Sequence, residues 1–161
     1  MTQAKKNNNN NTHVVCFRLD KRLYAIPLKY VDRVLRMVAI SPVPEAPEWM
    51  MGVIDLQGKV IPVLNLRKRF KMPEQPVHPD NRMIILHHQE KLYAINADEV
   101  TQVTETSQMI SHHTNDMIDI DQNIPLLYVL RDDDQMIMVL NPEKIIPSRT
   151  IKENVATQAK I

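Results

Sequence analysis

The tetrapeptide LYAI stands at residues 23–26 and again at residues 92–95. Whether the second copy is an accident of composition or the trace of a duplicated unit decides how the whole chain is read. Laying 14–37 (VVCFRLDKRLYAIPLKYVDRVLRM) over 83–106 (MIILHHQEKLYAINADEVTQVTET), an offset of 69, needs no gap. It gives six identities: Leu23/Leu92, Tyr24/Tyr93, Ala25/Ala94, Ile26/Ile95, Val31/Val100 and Val34/Val103. Residue class matches further, because Val14, Val15, Cys16 and Phe17 fall on Met83, Ile84, Ile85 and Leu86, one apolar run over another. A second echo follows at an offset of 76, IPVLN at 61–65 and IMVLN at 137–141. A small insertion in the second copy accounts for the growth in offset, and loops absorb such insertions. The chain therefore reads as a tandem duplication, which predicts two similar subdomains about a pseudo-twofold axis.

Each unit has the pattern of small β structure. Residues 14–19 and 23–26 are β-rich runs joined by the polar turn Asp20, Lys21, Arg22. Alternation places Val15, Phe17 and Leu19 on one face and Val14, Cys16 and Arg18 on the other, as in a hairpin. PLKYVDRVLRMVAI (27–40) opens on a proline and accommodates a helical turn before a third strand alternating Val34, Arg36, Val38 and Ile40. The proline-rich SPVPEAPEW (41–49) continues neither ladder nor helix and reads as an extended connector. Gly52 to Leu56 and Val60 to Leu64 form two more strands turned at Gln57, Gly58 and Lys59, and Pro62 requires an unpaired N–H side. Later, IPLLYVL and QMIMVL flank Arg131 to Asp134 as another hairpin, and Asn141 with Pro142 reads as the cap and first turn of a short helix.

The expected fold is all-β with short helices: two pseudo-symmetric five-stranded barrels. A single domain spans 13–147, with subdomains at about 14–70 and about 82–147 separated by the polar, proline-bearing LRKRFKMPEQPVHPDN (66–81). Residues 1–12, with their asparagine run, read as a tail with no core to offer, and 148–161 as a second tail.

Composition narrows the function classes. The chain has 161 residues, 43% hydrophobic and 24% charged, enough for a packed core without staples. A formal net charge of +1 leaves no electrostatic footprint for nucleic acid or an anionic membrane. With 2 glycines, Gly52 and Gly58, no glycine-rich phosphate cradle can form. One cysteine, Cys16, excludes an intramolecular disulfide, and no run approaches a membrane span, so a soluble protein of the reducing cytoplasm is expected.

Candidate chemistry is thin. The pairs His87/His88 and His112/His113 invite a metal reading, but neighbours on a strand point to opposite faces and no further Cys or His completes a tetrahedral set. Asp116, Asp119 and Asp121 lack the glycine and terminal Glu of a calcium loop, and Asp132 to Asp134 read as a solvated turn. No base accompanies Cys16, and no serine lies in a nucleophile elbow. No catalytic residue, cofactor or metal is therefore assigned. Trp49, the one tryptophan, reads either as packing across a barrel end or as an aromatic anchor for a partner.

PEWMMGVIDLQGKVIPVLNLRKRF (47–70) resembles the signature segment of the CheW-like domain family of bacterial chemosensory coupling proteins. FRLDKRLYAIPLKYVDRVLR, LYAINADEVTQV and MIMVLNPEKI extend the resemblance over about 14–147. The resemblance implies two SH3-like barrels and a non-catalytic scaffold. One barrel surface would bind the regulatory domain of a CheA-type histidine kinase, and a groove between barrels the cytoplasmic tip of a chemoreceptor. It also implies recruitment to membrane-associated or polar arrays without membrane insertion. By the repeat, Val31, Val34, Val100 and Val103 are the candidates beside that groove, with Trp49, Gln57, Gly58 and Arg33 as further partner-binding candidates. Three positions depart from the family: Gln57 stands for Arg, Asn65 for Asp and Arg33 for Glu. Loss of the Arg together with reversal of the Glu implies that one charged contact of the family has been given up here. Such a divergent member could serve pilus or polar-localisation scaffolding, or bind other CheW-like domains. A small-ligand or metal-sensing barrel is the remaining alternative.

Overall fold

The structure is a computed structural model that describes residues 13–106, 110–113 and 125–146. Eleven strands are assigned in it. In the first part of the chain these are β1 (His13–Leu19), β2 (Arg22–Pro27), β3 (Val31–Arg36), β4 (Met50–Leu56) and β5 (Lys59–Leu64). In the second they are β6 (Arg82–His88), β7 (Lys91–Ala97), β8 (Glu99–Glu105), β9 (Ile110–His113), β10 (Leu126–Asp132) and β11 (Gln135–Leu140). A 3₁₀ turn, Leu28–Tyr30, precedes β3, and two one-turn helices, α1 (Leu66–Arg69) and α2 (Pro142–Ile145), follow β5 and β11. Asn65 and Asn141 cap these helices: each side-chain oxygen accepts a backbone N–H, from Lys68 and Glu143, at 3.1 Å. The strands obey the repeat closely. Offset 69 carries β1 onto β6, and offset 76 carries β4 onto β10 and β5 onto β11. The insertion falls in the connector after the third strand, 37–49 in the first copy and 106–125 in the second.

The strands form two sheets that interleave the copies. The six-stranded sheet runs β8-β1-β2-β11-β10-β9, and the five-stranded sheet runs β3-β6-β7-β5-β4. The hairpin of the first copy thus completes the sheet of the second, and the reverse. The sheets therefore cut across the expected subdomains at about 14–70 and 82–147. Two parallel pairings make the exchange exact in register: Val63 lies opposite Ala94, and its counterpart Val139 lies opposite Ala25. Pro62 sits one residue ahead of the parallel pairing of β5 with β7, which begins at Val63, so its missing N–H is not demanded by that ladder.

Each sheet bends toward closure. The chain leaving β3 comes round to β4, where Ser41 and Val53 exchange two backbone hydrogen bonds of 2.8 and 2.9 Å. Gly52 permits this approach, because a Cβ there would lie 2.4 Å from the Ser41 carbonyl oxygen. Likewise β9, next after β8, occupies the opposite edge of the six-stranded sheet and pairs with β10. The third strand is shorter than the alternation Val34, Arg36, Val38, Ile40 suggested, since the ladder ends at Arg36. Val38 and Ile40 then turn inward to fill the five-stranded barrel.

Three apolar clusters result. Val14, Cys16, Leu23, Ala25, Leu130, Ile137 and Val139 fill the six-stranded barrel. Ile54, Ile61, Val63, Met83, Ile85 and Ala94 fill the other. Between them lies the largest cluster, including Phe17, Tyr24, Ile26, Leu64, Leu86, Tyr93, Ile95 and Leu140. The uninterrupted runs VVCF and MIIL are explained by this layering, because β1 and β6 bury both faces: one in a barrel, one in the central layer. Tyr24 stacks between Phe17 and Phe70 in that layer, with ring centroids at 5.9 and 5.3 Å.

Candidate protein-docking site

Strands β3 and β8 are repeat counterparts, and each is an edge, paired on one side only, with β6 and β1 respectively. Their valines divide. Val31 and Val100 pack against the central layer, whereas Val34 and Val103 stand out, 40% and 57% exposed. A bulge between the two valines of each strand returns them to one face of the sheet, Val31 and Val34 opposite Leu86 and Ile84, Val100 and Val103 opposite Phe17 and Val15, so each edge has one valine covered and one presented to solvent on the same face. Exposed apolar side chains recur at a second equivalent pair, Val60 at the start of β5 and Met136 at the start of β11, 70% and 64% exposed. Both follow the hairpin turn at the end of a barrel. The sequence holds their signal, an apolar residue out of phase with the inward Ile61 and Ile137, but the reading of the chain passed over them.

The other candidates are dispersed. Arg33, on β3, places its Nε 2.6 Å from Oδ2 of the adjacent Asp32, so the reversed charge is matched locally on the surface. Gln57 and Gly58, both with positive φ, form the two-residue turn between β4 and β5, and the Gly58 N–H donates to Asp55 Oδ1 at 2.8 Å. Trp49 packs against the central layer, and its carbonyl accepts the Asn65 N–H at 2.7 Å. This favours packing over the anchor reading.

An unforeseen ionic cluster joins the two barrels. Arg67 of α1, its side chain 11% exposed, donates through Nη2 to both oxygens of Asp98 and through Nη1 to Asp20 Oδ1 and the Pro73 carbonyl. Asp98 also accepts the Asp20 N–H at 2.7 Å. Burial alone would lower the Arg67 pKa, but the two carboxylates outweigh it and the guanidinium is held charged more firmly than usual. Asp20 belongs to the β1–β2 turn and Asp98 joins β7 to β8, so one side chain ties both sheets. No local sequence signal marks it.

Catalytic and metal chemistry finds little here. Among the described residues no three His, Cys, Asp or Glu gather as a metal set. His87 is exposed and His88 half-buried on β6, β9 includes His112 and His113, and Asp116, Asp119 and Asp121 lie outside the described residues. Burial pushes the Cys16 thiol pKa up, partly offset by its contact with the Thr104 hydroxyl, so the thiolate is disfavoured. A cleft lined by Met51, Asn65, Arg67, Glu74, Gln75 and Asn96 has a volume of ≈ 70 Å³, well below the roughly 300–1,000 Å³ of small-molecule sites. No helix among the described residues is long and apolar enough to cross a membrane.

Known proteins with this arrangement agree on one family. Residues 13–150 match the CheW-like domain. The chemotaxis protein CheW of Helicobacter pylori is 24% identical over 123 residues, 76% of this chain and 74% of that protein. The protein FrzA of Myxococcus xanthus is 33% identical over 70 residues, 44% of each chain. The crystal structure of the scaffolding protein TtCheW from Thermoanaerobacter tengcongensis superposes with a TM-score of 0.72 at 29% identity, covering 81% of this chain and 89% of that one. The chain therefore belongs to the CheW-like domain family, the non-catalytic scaffolds of chemotaxis signalling.

Proposed function

We propose that this protein is an adaptor with two kinds of docking face, coupling a CheA-type histidine kinase to chemoreceptors. The edges bearing Val34 and Val103 receive the helical tip of a receptor, in the manner of an amphipathic helix laid on an apolar strip. The barrel ends bearing Val60 and Met136 receive the kinase regulatory domain, through contacts that extend head to tail. Docking on receptors recruits the protein to a membrane-associated array. One observation carries the reading: large apolar side chains are exposed at repeat-equivalent positions, Val34 with Val103 and Val60 with Met136, on a chain whose other strand valines are largely covered. A duplicated scaffold that had no use for these sites would have had no reason to keep them in pairs.

The experiment is direct binding of the purified protein to the receptor tip and the kinase regulatory domain from the same genome. Val34→Asp and Val103→Asp are expected to weaken receptor binding and spare the kinase; Val60→Asp and Met136→Asp are expected to do the reverse. A folded wild-type protein that binds neither partner defeats the coupling role, and the local Arg33–Asp32 pairing then points to a scaffold for another assembly.

A further inference from the structure

Neither half of the chain contains either sheet complete. In 13–70 the strand ladders are confined to the hairpins β1–β2 and β4–β5, with the single Ser41–Val53 bridge; in 82–146 they are β6–β7, β10–β11 and β9 on β10. Every pairing that joins one such piece to another crosses from half to half: β1 with β8, β2 with β11, β3 with β6 and β5 with β7. The central layer likewise draws on both halves, Phe17, Tyr24, Ile26 and Leu64 from one and Ile84, Leu86, Tyr93 and Ile95 from the other. Covalently, the halves meet only through the segment from Phe70 to Asn81. From Met72 to His78 this segment is neither helix nor strand.

We propose that this chain exchanges halves with a second copy of itself: residues 13–70 of each molecule close on residues 82–146 of the other, giving a dimer of two complete barrel pairs. The complementary surface is the internal one, so every strand pairing and buried side chain of the single molecule is regained, and only the linking segment changes course. What favours the closed single molecule is concentration. A flexible tether of this length holds its ends at an effective concentration on the order of 1 mM, so exchange is rare in dilute protein and grows as the chain concentration approaches that value.

Two measurements on the full chain test this. Deleting Glu74 to Pro79 removes about 20 Å of reach at roughly 3.3 Å per residue, which penalises self-closure and leaves closure on a partner open. The shortened protein is expected to be a dimer by light scattering, with the circular dichroism of the parent. Separately, Arg36 and Arg82 lie opposite each other across β3 and β6, one in each half, at a cross-strand separation a disulfide can span. In the Arg36→Cys, Arg82→Cys variant, oxidation after refolding links one chain to itself if closed and two chains if exchanged; Cys16 is buried and does not compete. Refolding at about 0.5 mM is expected to give roughly a third of the protein as covalent dimer, against about one per cent or less at 5 µM, from the millimolar effective concentration. A folded monomer from the shortened chain, or cross-links confined within single chains at both concentrations, overturns the proposal. Should the shortened chain fail to fold, the cross-linking result decides alone.

Discussion

Arg67 Nη2 lies 2.8 Å from Oδ1 and 2.7 Å from Oδ2 of Asp98, and this contact spans the boundary between the two barrels. Because the guanidinium is mostly covered, removing it leaves two carboxylates side by side near the seam, Asp20 and Asp98, without their cation. Arg67→Ala is expected to cost about 1–3 kcal/mol, the upper part of the range for buried ion pairs being reduced by the partial exposure of both carboxylates. Arg67→Lys is expected to recover less than half, since a single ammonium cannot reach both partners in the same geometry. Urea denaturation of the three proteins measures both effects.

Gly52 has a steric reason to be glycine. A methyl group there would sit 2.4 Å from the Ser41 carbonyl oxygen and 2.8 Å from Ile40 Cγ2. The oxygen is backbone and is itself bonded to Val53, so relief requires breaking the bridge that closes the five-stranded barrel. Gly52→Ala is expected to destabilise by about 2–3 kcal/mol, whereas Gly58→Ala, with open space around the added atom and only a positive φ to accommodate, is expected to cost about 1 kcal/mol. Thermal melts of the two variants rank them.

The valines of β3 provide an internal control. Val34→Asp is expected to leave stability within about 0.5 kcal/mol of the parent, as for surface changes generally. Val31→Asp sets a carboxylate against the central layer and is expected to cost about 2–4 kcal/mol. Val103 and Val100 are expected to repeat the contrast on β8. Equal losses for the exposed and the anchored valine in either strand would contradict this difference in burial.

Cys16 reports on opening. Its thiol is wholly buried in the six-stranded barrel, so its reaction with an aromatic disulfide reagent requires unfolding and is expected to be at least about 10³-fold slower than in urea. Its pKa is raised in the folded state, mainly by burial. The folded protein therefore keeps a proton that the unfolded chain releases above about 8.5, and the thiol's share of stability is full below that pH and lost as pH rises through it. Tyr24, Tyr93 and Tyr128, raised by burial as well, act with the same sign above about 10. Unfolding midpoints at pH 7 and 9.5 are expected to differ less in Cys16→Ala than in the parent.

The duplication was legible because LYAI and the apolar runs before it survive in both copies, and period-two alternation turns those runs into hairpins. The exchange of hairpins was not legible, and the cause lies in the same residues. Val63 finds Ala94 and Val139 finds Ala25, but both alanines sit in an identical LYAI, so the local sequence does not label which hairpin belongs to which set of strands. The site was half legible. Val31 and Val34 share a face, as do Val100 and Val103, because a bulge falls between the valines of each strand, and nothing in the sequence shows which valine of each pair is covered. The Arg67 cluster could not be read at all, since its partners lie 47 and 31 residues away and neither has a patterned neighbour.

The interleaved sheet order also bears on synthesis. On the ribosome the amino-terminal hairpin emerges first, yet the strand that flanks β2 ends only at Leu140. At roughly 5–20 residues per second, the nascent β1–β2 hairpin waits on the order of 6–20 s with the face bearing Val14, Cys16, Leu23 and Ala25 uncovered. The five-stranded barrel, complete once Ala97 has been made, is available earlier as a platform. Translation speed through the second half thus sets how long a sticky, unpartnered hairpin must be shielded by chaperones.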